Sequence, residues 1–292
     1  MPHPNTLALP GPYEHTFVHT RGLRLHAAIA GDPISPLIIL LHGNTSGWFE
    51  FQHVLPLLAD AGYRACAVSL RGYGLSDRPP SGYEIRHAVG DISGTLRALG
   101  HTDAVLIGNG TGGAIAWTLA AAQPHRVRAL ISINAIHPTD LRRAIAARPW
   151  LYTSELARWP AEQILRQPFT KETFPSQDPD YNQRVQNYQY LCNYAQHQDK
   201  AKGIILKTSR LAYTWVPSTW FSARATAPAL ILHNNQPRWK HLVRRAATRT
   251  LGELSSLQIP GAFPETTQLP HLENPNEFVE VIQRYITSVE SL

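Results

Sequence analysis

The stretch Ala104-Val105-Leu106-Ile107-Gly108-Asn109-Gly110-Thr111-Gly112-Gly113-Ala114-Ile115-Ala116 decides how the rest of the chain is read. Its first half is an apolar run rich in β-branched residues, which predicts a buried strand. A burst of glycines then predicts a sharp turn. The small residues that follow predict a helix over 112–122, stopped near Gln123-Pro124.

The same alternation extends on both sides. Thr16 to His19 and Leu23 to Ile29 flank Arg21-Gly22 and read as a β-hairpin, after a Pro- and His-rich arm over residues 1–14. Leu37-Ile38-Ile39-Leu40-Leu41 is continuous and apolar, as a central strand should be, and Arg64 to Leu70 reads as the next buried strand. Phe51 to Leu58 and His87 to Leu99 have helical spacing, with stops at Ala61-Gly62 and Gly100. Val127 to Asn134, Ala229 to His233 and Leu254 to Ile259 are expected strands, and an amphipathic helix through Val281, Ile282 and Ile286 ends the pattern. Strands alternating with helices imply βαβ units, hence an α/β fold with a mostly parallel central sheet flanked by helices. From Pro138 to Phe221 the strands vanish, and helical segments rich in Trp, Tyr, Gln and Arg take their place. The expected division is therefore a core over 1–137, a helical insert over 138–221, and the rest of the core over 222–292.

Bulk properties bound the function. The 292 residues are 43% hydrophobic and 16% charged, ordinary for a globular chain with a large core. Two cysteines, Cys66 and Cys192, argue against a disulfide framework or a Cys-ligated metal. No metal or cofactor motif is present. The start Met1-Pro2-His3-Pro4-Asn5 lacks the charged-then-apolar pattern of a signal peptide, and no apolar run approaches a membrane span, so a cytoplasmic protein without membrane attachment is expected. A net charge of +6 and a pI near 9.4 suit an anionic partner, but Lys and Arg read as scattered, which speaks against nucleic acid.

Four landmarks in this order, His42-Gly43, Arg71-Gly72-x-Gly74-x-Ser76, Gly108-x-x-x-Gly112-Gly113 and Pro270-His271-Leu272-Glu273-Asn274-Pro275, make the chain similar to the α/β-hydrolase superfamily. It most resembles the capped branch of epoxide hydrolases, haloalkane dehalogenases and related esterases. The resemblance implies that residues 108–112 form the nucleophile elbow, a strained strand-to-helix turn that presents a reactive side chain. It also implies that the insert is a cap over the active-site mouth, and that the His42-Gly43 loop lends a backbone N–H to an oxyanion hole. The bland alternative for His42-Gly43 is an ordinary strand-to-helix turn.

The residues at the implied catalytic positions depart from the family pattern. The nucleophile's place holds Gly110, the base's place Gln268, and the turn that carries the acid reads His233-Asn234-Asn235-Gln236-Pro237 without a carboxylate. Asp140, after the preceding expected strand, comes several residues too late. In a serine-protease triad, losing the nucleophile or base costs roughly a millionfold in turnover. Neutral Gly, Gln and Asn/Gln suit a polar pocket without acid–base power. The expected reading is thus a non-hydrolytic pseudoenzyme that binds a small molecule or protein partner. Its pocket or oxyanion-hole-like rim would comprise His42, Gly43, Asn44, Asn109, Gly110, Thr111 and Asn134, with Trp159 and Tyr188 from the cap. Two alternatives stay open: a non-hydrolytic lyase, cyclase or cofactor-free oxygenase using His42, His137, His233 or His271 with cap tyrosines as acids, or a hydrolase with displaced residues and Thr111 as nucleophile.

Overall fold

A computed structural model describes residues 6–165, 179–258 and 269–290. Eight strands form one sheet: β1 Glu14–Thr20, β2 Leu23–Ala30, β3 Leu37–Leu41, β4 Arg64–Val68, β5 Ala104–Asn109, β6 Val127–Ile133, β7 Ala229–His233 and β8 Leu254–Gln258. Their spatial order is β1-β2-β4-β3-β5-β6-β7-β8. The first three in that order pair antiparallel, as the expected hairpin and its neighbour; every other pairing is parallel.

Ten helices accompany the strands among the described residues: α1 Val54–Asp60, α2 Ile85–Ala98, α3 Thr111–Ala122, α4 Pro138–Ala147, α5 Thr153–Leu165, α6 Pro179–Gln196, α7 Ala201–Thr208, α8 Trp239–Arg249, α9 Pro270–Glu273 and α10 Pro275–Glu290. The sheet is buried on both faces, so its inner strands alternate between two cores. Leu37, Ile39 and Leu41 pack with α2, α3 and α8, whereas Ile38 and Leu40 pack with α1 and α10. That two-sided burial is why β3 reads as an unbroken apolar run.

Two expectations are corrected. The helix expected over 51–58 is a 3-10 turn, Trp48–Phe51, followed by α1 from Val54. Starting at Val54 puts Pro56 in the first turn, where its missing N–H removes no helical bond. The amino-terminal arm, where described, is packed rather than free. Leu7 is buried, the Trp48 indole N–H donates to its carbonyl at 2.8 Å, and His15 Nε2 lies 2.7 Å from the Leu9 carbonyl.

The chain leaves β3 toward β4 on one side, while β5 lies on the other. Between β3 and β5 is therefore a topological switch point, where open α/β sheets leave a crevice at their carboxyl ends. The glycines of 108–113 allow α3 to start tight against that crevice. A Cβ on Gly112 would overlap the Leu41 carbonyl carbon and oxygen and stand 2.7 Å from the carbonyl oxygen of His42. Backbone cannot move aside, so Gly112→Ala should lower unfolding stability by at least about 2 kcal/mol in urea denaturation. At the exposed helical Gly203, a methyl group would meet nothing within 4 Å, so Gly203→Ala should raise stability by roughly 0.5–1 kcal/mol.

Candidate functional site

The elbow is present in backbone form. Gly110 has φ 52° and ψ −109°, a region open to glycine and costly for other residues. Its N–H donates to the Ile133 carbonyl at 2.9 Å, which ties the turn to the end of β6. Thr111, buried, is the first residue of α3, so its N–H has no partner one helical turn back.

On the β3 side, His42 is fully buried. Its Nδ1 lies 2.7 Å from the Gly43 carbonyl and donates to it, while Nε2 accepts the Leu70 N–H at 3.0 Å. Both ring nitrogens are thus spent on holding loops, and burial lowers the imidazole pKa. The Gly43 N–H donates to the Glu50 carboxylate at 3.0 Å, and so points away from any oxyanion in the crevice. The Asn44 side-chain oxygen accepts the Tyr73 hydroxyl at 2.7 Å; that hydroxyl is also 2.5 Å from the Thr208 hydroxyl on α7. Thr45 (φ 65°) and Asn134 (φ 50°) hold left-handed backbone in the two loops beside the elbow, a conformation rare for residues with side chains.

Sequence reading missed Glu50. Its carboxylate is buried and accepts the Asn109 amide at 2.6 Å besides the Gly43 N–H, and His271 Nε2 stands 3.3 Å away. A carboxylate only accepts, so the Asn109 amide must present its NH2. The signal was available: an acid among the three aromatics of Trp48-Phe49-Glu50-Phe51 has no reason to be there unless paired. His271, also fully buried, packs its ring on Phe51 at a centroid distance of 4.6 Å. Asn109 and His271 are therefore parts of a buried anchor beneath the elbow.

On the other flank, the Asn134 side-chain oxygen accepts the Asn234 N–H at 3.2 Å, which joins the turns after β6 and β7. Asn235 is exposed and Gln236 half-buried. His233 stacks on Trp239 and its Nδ1 lies 2.8 Å from the Asn234 carbonyl. Tyr188 is buried on α6, facing Phe49 at 6.0 Å, and burial pushes its phenol well above the usual range. Arg184, on the same helix, donates to the carbonyls of Leu272 and Glu273 at 2.9 and 2.8 Å. Trp159 falls within α5, but its side chain lies outside the described residues, as does Gln268. Leu269, next to Gln268, is buried.

The remaining histidine candidate has a structural post. His137 caps α4, its Nδ1 accepting the Thr139 N–H at 3.3 Å. Asp140, one turn on, is bound by the Arg249 guanidinium at 2.7 and 3.0 Å, and is a buried ion pair rather than a displaced acid. The expectation of scattered cations is also corrected: residues 200–252 hold ten lysines and arginines and no aspartate or glutamate.

With this geometry, the relatives can be named. A family model described as the alpha/beta hydrolase family matches residues 38–281, and the chain belongs to that family. It is 40% identical to the AB hydrolase superfamily protein YfhM of Bacillus subtilis over 145 residues, 48% of this chain and 51% of the relative. It is 39% identical to epoxide hydrolase 3 of Siraitia grosvenorii over 123 residues, 41% of this chain and 38% of the relative. The matches thus span about half or less of these curated relatives. Epoxide hydrolase A from Mycobacterium thermoresistibile superposes with a TM-score of 0.69 at 25% identity, covering 94% of this chain and 98% of that one. An epoxide hydrolase from an endophytic Streptomyces gives a TM-score of 0.70 at 20% identity over 97% of both chains, a likeness of fold. The chain is thus similar to members of the epoxide hydrolase-like branch. No helix among the described residues is long and apolar enough to cross a membrane.

Two measurements test the buried groups. Glu50→Ala strands the Gly43 and Asn109 donors and should lower unfolding stability by about 3 kcal/mol in urea denaturation. Burial, reinforced by Arg249 and Arg143, depresses the His137 pKa from 6.5 to about 3. Between those values the unfolded chain holds a proton that the native state does not, so stability falls as pH drops through that window. His137→Asn keeps a capping oxygen and removes the titration; the stability lost between pH 7 and pH 4 should shrink relative to the parent.

Proposed function

We propose that this chain is a non-hydrolytic member of the alpha/beta hydrolase family, a pseudoenzyme that binds a small molecule or protein partner at the carboxyl edge of the sheet. The observation that carries the reading is the elbow itself. Gly110 holds a sharp strand-to-helix turn with no side chain at its tip, so the place of the attacking atom is empty of chemistry. A nucleophile also needs a positioned base. His42 and His137 spend their nitrogens or their burial on structure, and His271 is fully buried against Glu50. The sequence offers Gln268 at the base position and Asn235 and Gln236 in the acid turn, none of which takes a proton from a hydroxyl at neutral pH.

In this reading the family's fold is retained for its crevice. The rim is supplied by Asn44, Thr111 and Asn134, and the helices of 138–221, with Trp159 and Tyr188 among them, serve as the cap. The epoxide hydrolases that the chain resembles supply the shape of the site, and the ligand is a polar compound that fits it without being hydrolysed.

The test joins stability, turnover and binding. Gly110→Ser should lower stability by about 1 kcal/mol, because a side chain must enter a left-handed conformation. Parent and variant should both be inert towards p-nitrophenyl esters, styrene oxide and haloalkanes, while native mass spectrometry of the purified parent finds a bound compound or partner. Turnover by the parent that survives Gly110→Ser would place catalysis on other residues and end the pseudoenzyme reading. Turnover switched on by Gly110→Ser alone would reveal a working base and overturn it equally.

A further inference from the structure

Away from the elbow, an open cleft of about 380 Å3 lies between α4 and the segment 211–221. Its walls include Leu156, Trp215 and Phe221, which are 46%, 71% and 36% exposed. Single exposed apolar side chains are ordinary, but three in one concavity mark a surface that binds something. The volume falls within the range of small-molecule sites.

The cleft also holds two arginines on aromatic faces. The Arg142 guanidinium carbon is 3.0 Å from the Trp215 ring centroid, and that of Arg143 is 4.7 Å from the Phe221 centroid. A ring face attracts a guanidinium without occupying its N–H donors, which lie in the guanidinium plane. Neither arginine has a carboxylate to itself among the described residues. The acid near Arg143 is Asp140, at 3.9 Å, and Asp140 already accepts both hydrogen bonds of Arg249. Arg142 makes no ion pair among the described residues. The acid-free segment 200–252 supplies Tyr213, Trp215 and Phe221 to the walls and includes α8, which packs against α4. The local field is therefore positive, and it draws anions in.

We propose that this cleft is a second binding site, specific for an amphiphilic monocarboxylate. The carboxylate is held by the Arg142 and Arg143 forks, and the apolar body lies against Trp215, Phe221 and Leu156. Arginine suits this task because its planar fork matches a carboxylate's two oxygens. Because Asp140 is already taken by Arg249, both Arg142 and Arg143 keep their positive charge for the ligand's two carboxylate oxygens. The site is separate from Gly110 and stands whether or not the elbow binds a ligand of its own.

Isothermal titration calorimetry of the full chain with sodium octanoate, 1-octanol and sodium acetate tests the assignment. The parent should bind octanoate saturably, and octanol and acetate at least tenfold more weakly, because each lacks one half of the recognised chemistry. The double variant Arg142→Gln, Arg143→Gln should weaken octanoate at least tenfold while circular dichroism shows the fold retained, Arg143 being exposed and Arg142 half-buried. Trp215→Ala keeps the charges and should erase the preference for octanoate over acetate. Octanoate that binds the double variant as tightly as the parent would sit elsewhere, at the elbow crevice for instance, and would overturn the proposal. So would an absence of octanoate binding to the parent, or octanol binding as tightly as octanoate.

Discussion

A buried carboxylate constrains the centre of this molecule. Glu50 has no water to solvate it, so every strong donor in reach must turn towards it. The Gly43 N–H and the Asn109 amide do so, and His271 Nε2 stands 3.3 Å from the same carboxylate. Those three groups belong to the loop after β3, the last residue of β5 and the short helix α9. One charge thus fixes the relative positions of three segments far apart in sequence, all beneath the elbow. A carboxylate with its donors removed is far more costly than an apolar residue at the same place, so the three segments are held as a unit.

That arrangement separates the form of the elbow from its chemistry. The turn at Gly110 is held from below by Asn109, from the side by the Ile133 carbonyl, and behind by the contact of Gly112 with Leu41. None of these involves a side chain at position 110. A glycine there relieves the strain that a nucleophile would impose, while the surrounding backbone keeps the shape. The shape of the turn therefore does not depend on a side chain at position 110.

The helical segment between β6 and β7 joins both cores through apolar residues such as Ala144, Ile205 and Leu191, and polar contacts fix its ends. Arg249 on α8 reaches Asp140 on α4 as well as the carbonyls of Phe221 and Ala223, so one guanidinium closes both ends of that segment onto the core. Arg184 on α6 binds two carbonyls of α9, and Arg78 reaches Gln198 just beyond α6. Directional bonds of this kind set where helices sit, whereas the apolar face of α6, with Tyr188 and Leu191, supplies contact area.

The sequence by itself determined the alternation of strands and helices, because burial on both sides of a parallel sheet leaves unbroken apolar runs such as Leu37 to Leu41. It also determined the tight turn of 108–112, since close approach of α3 to β3 admits only glycine at position 112. It misjudged the start of α1 and the packing of the amino-terminal residues, where local spacing competes with tertiary contacts to Trp48. It could not assign the histidines. His42, His137 and His271 look alike in a sequence, and only the tertiary structure decided that one bridges two loops, one caps a helix and one faces Glu50. Hydrogen-bond partners separated by 28, 59 or more residues leave no local trace in the order of the chain. Pairing of this kind is a property of the folded space around a group, which is why the fold was legible in the sequence and the wiring of the site was not.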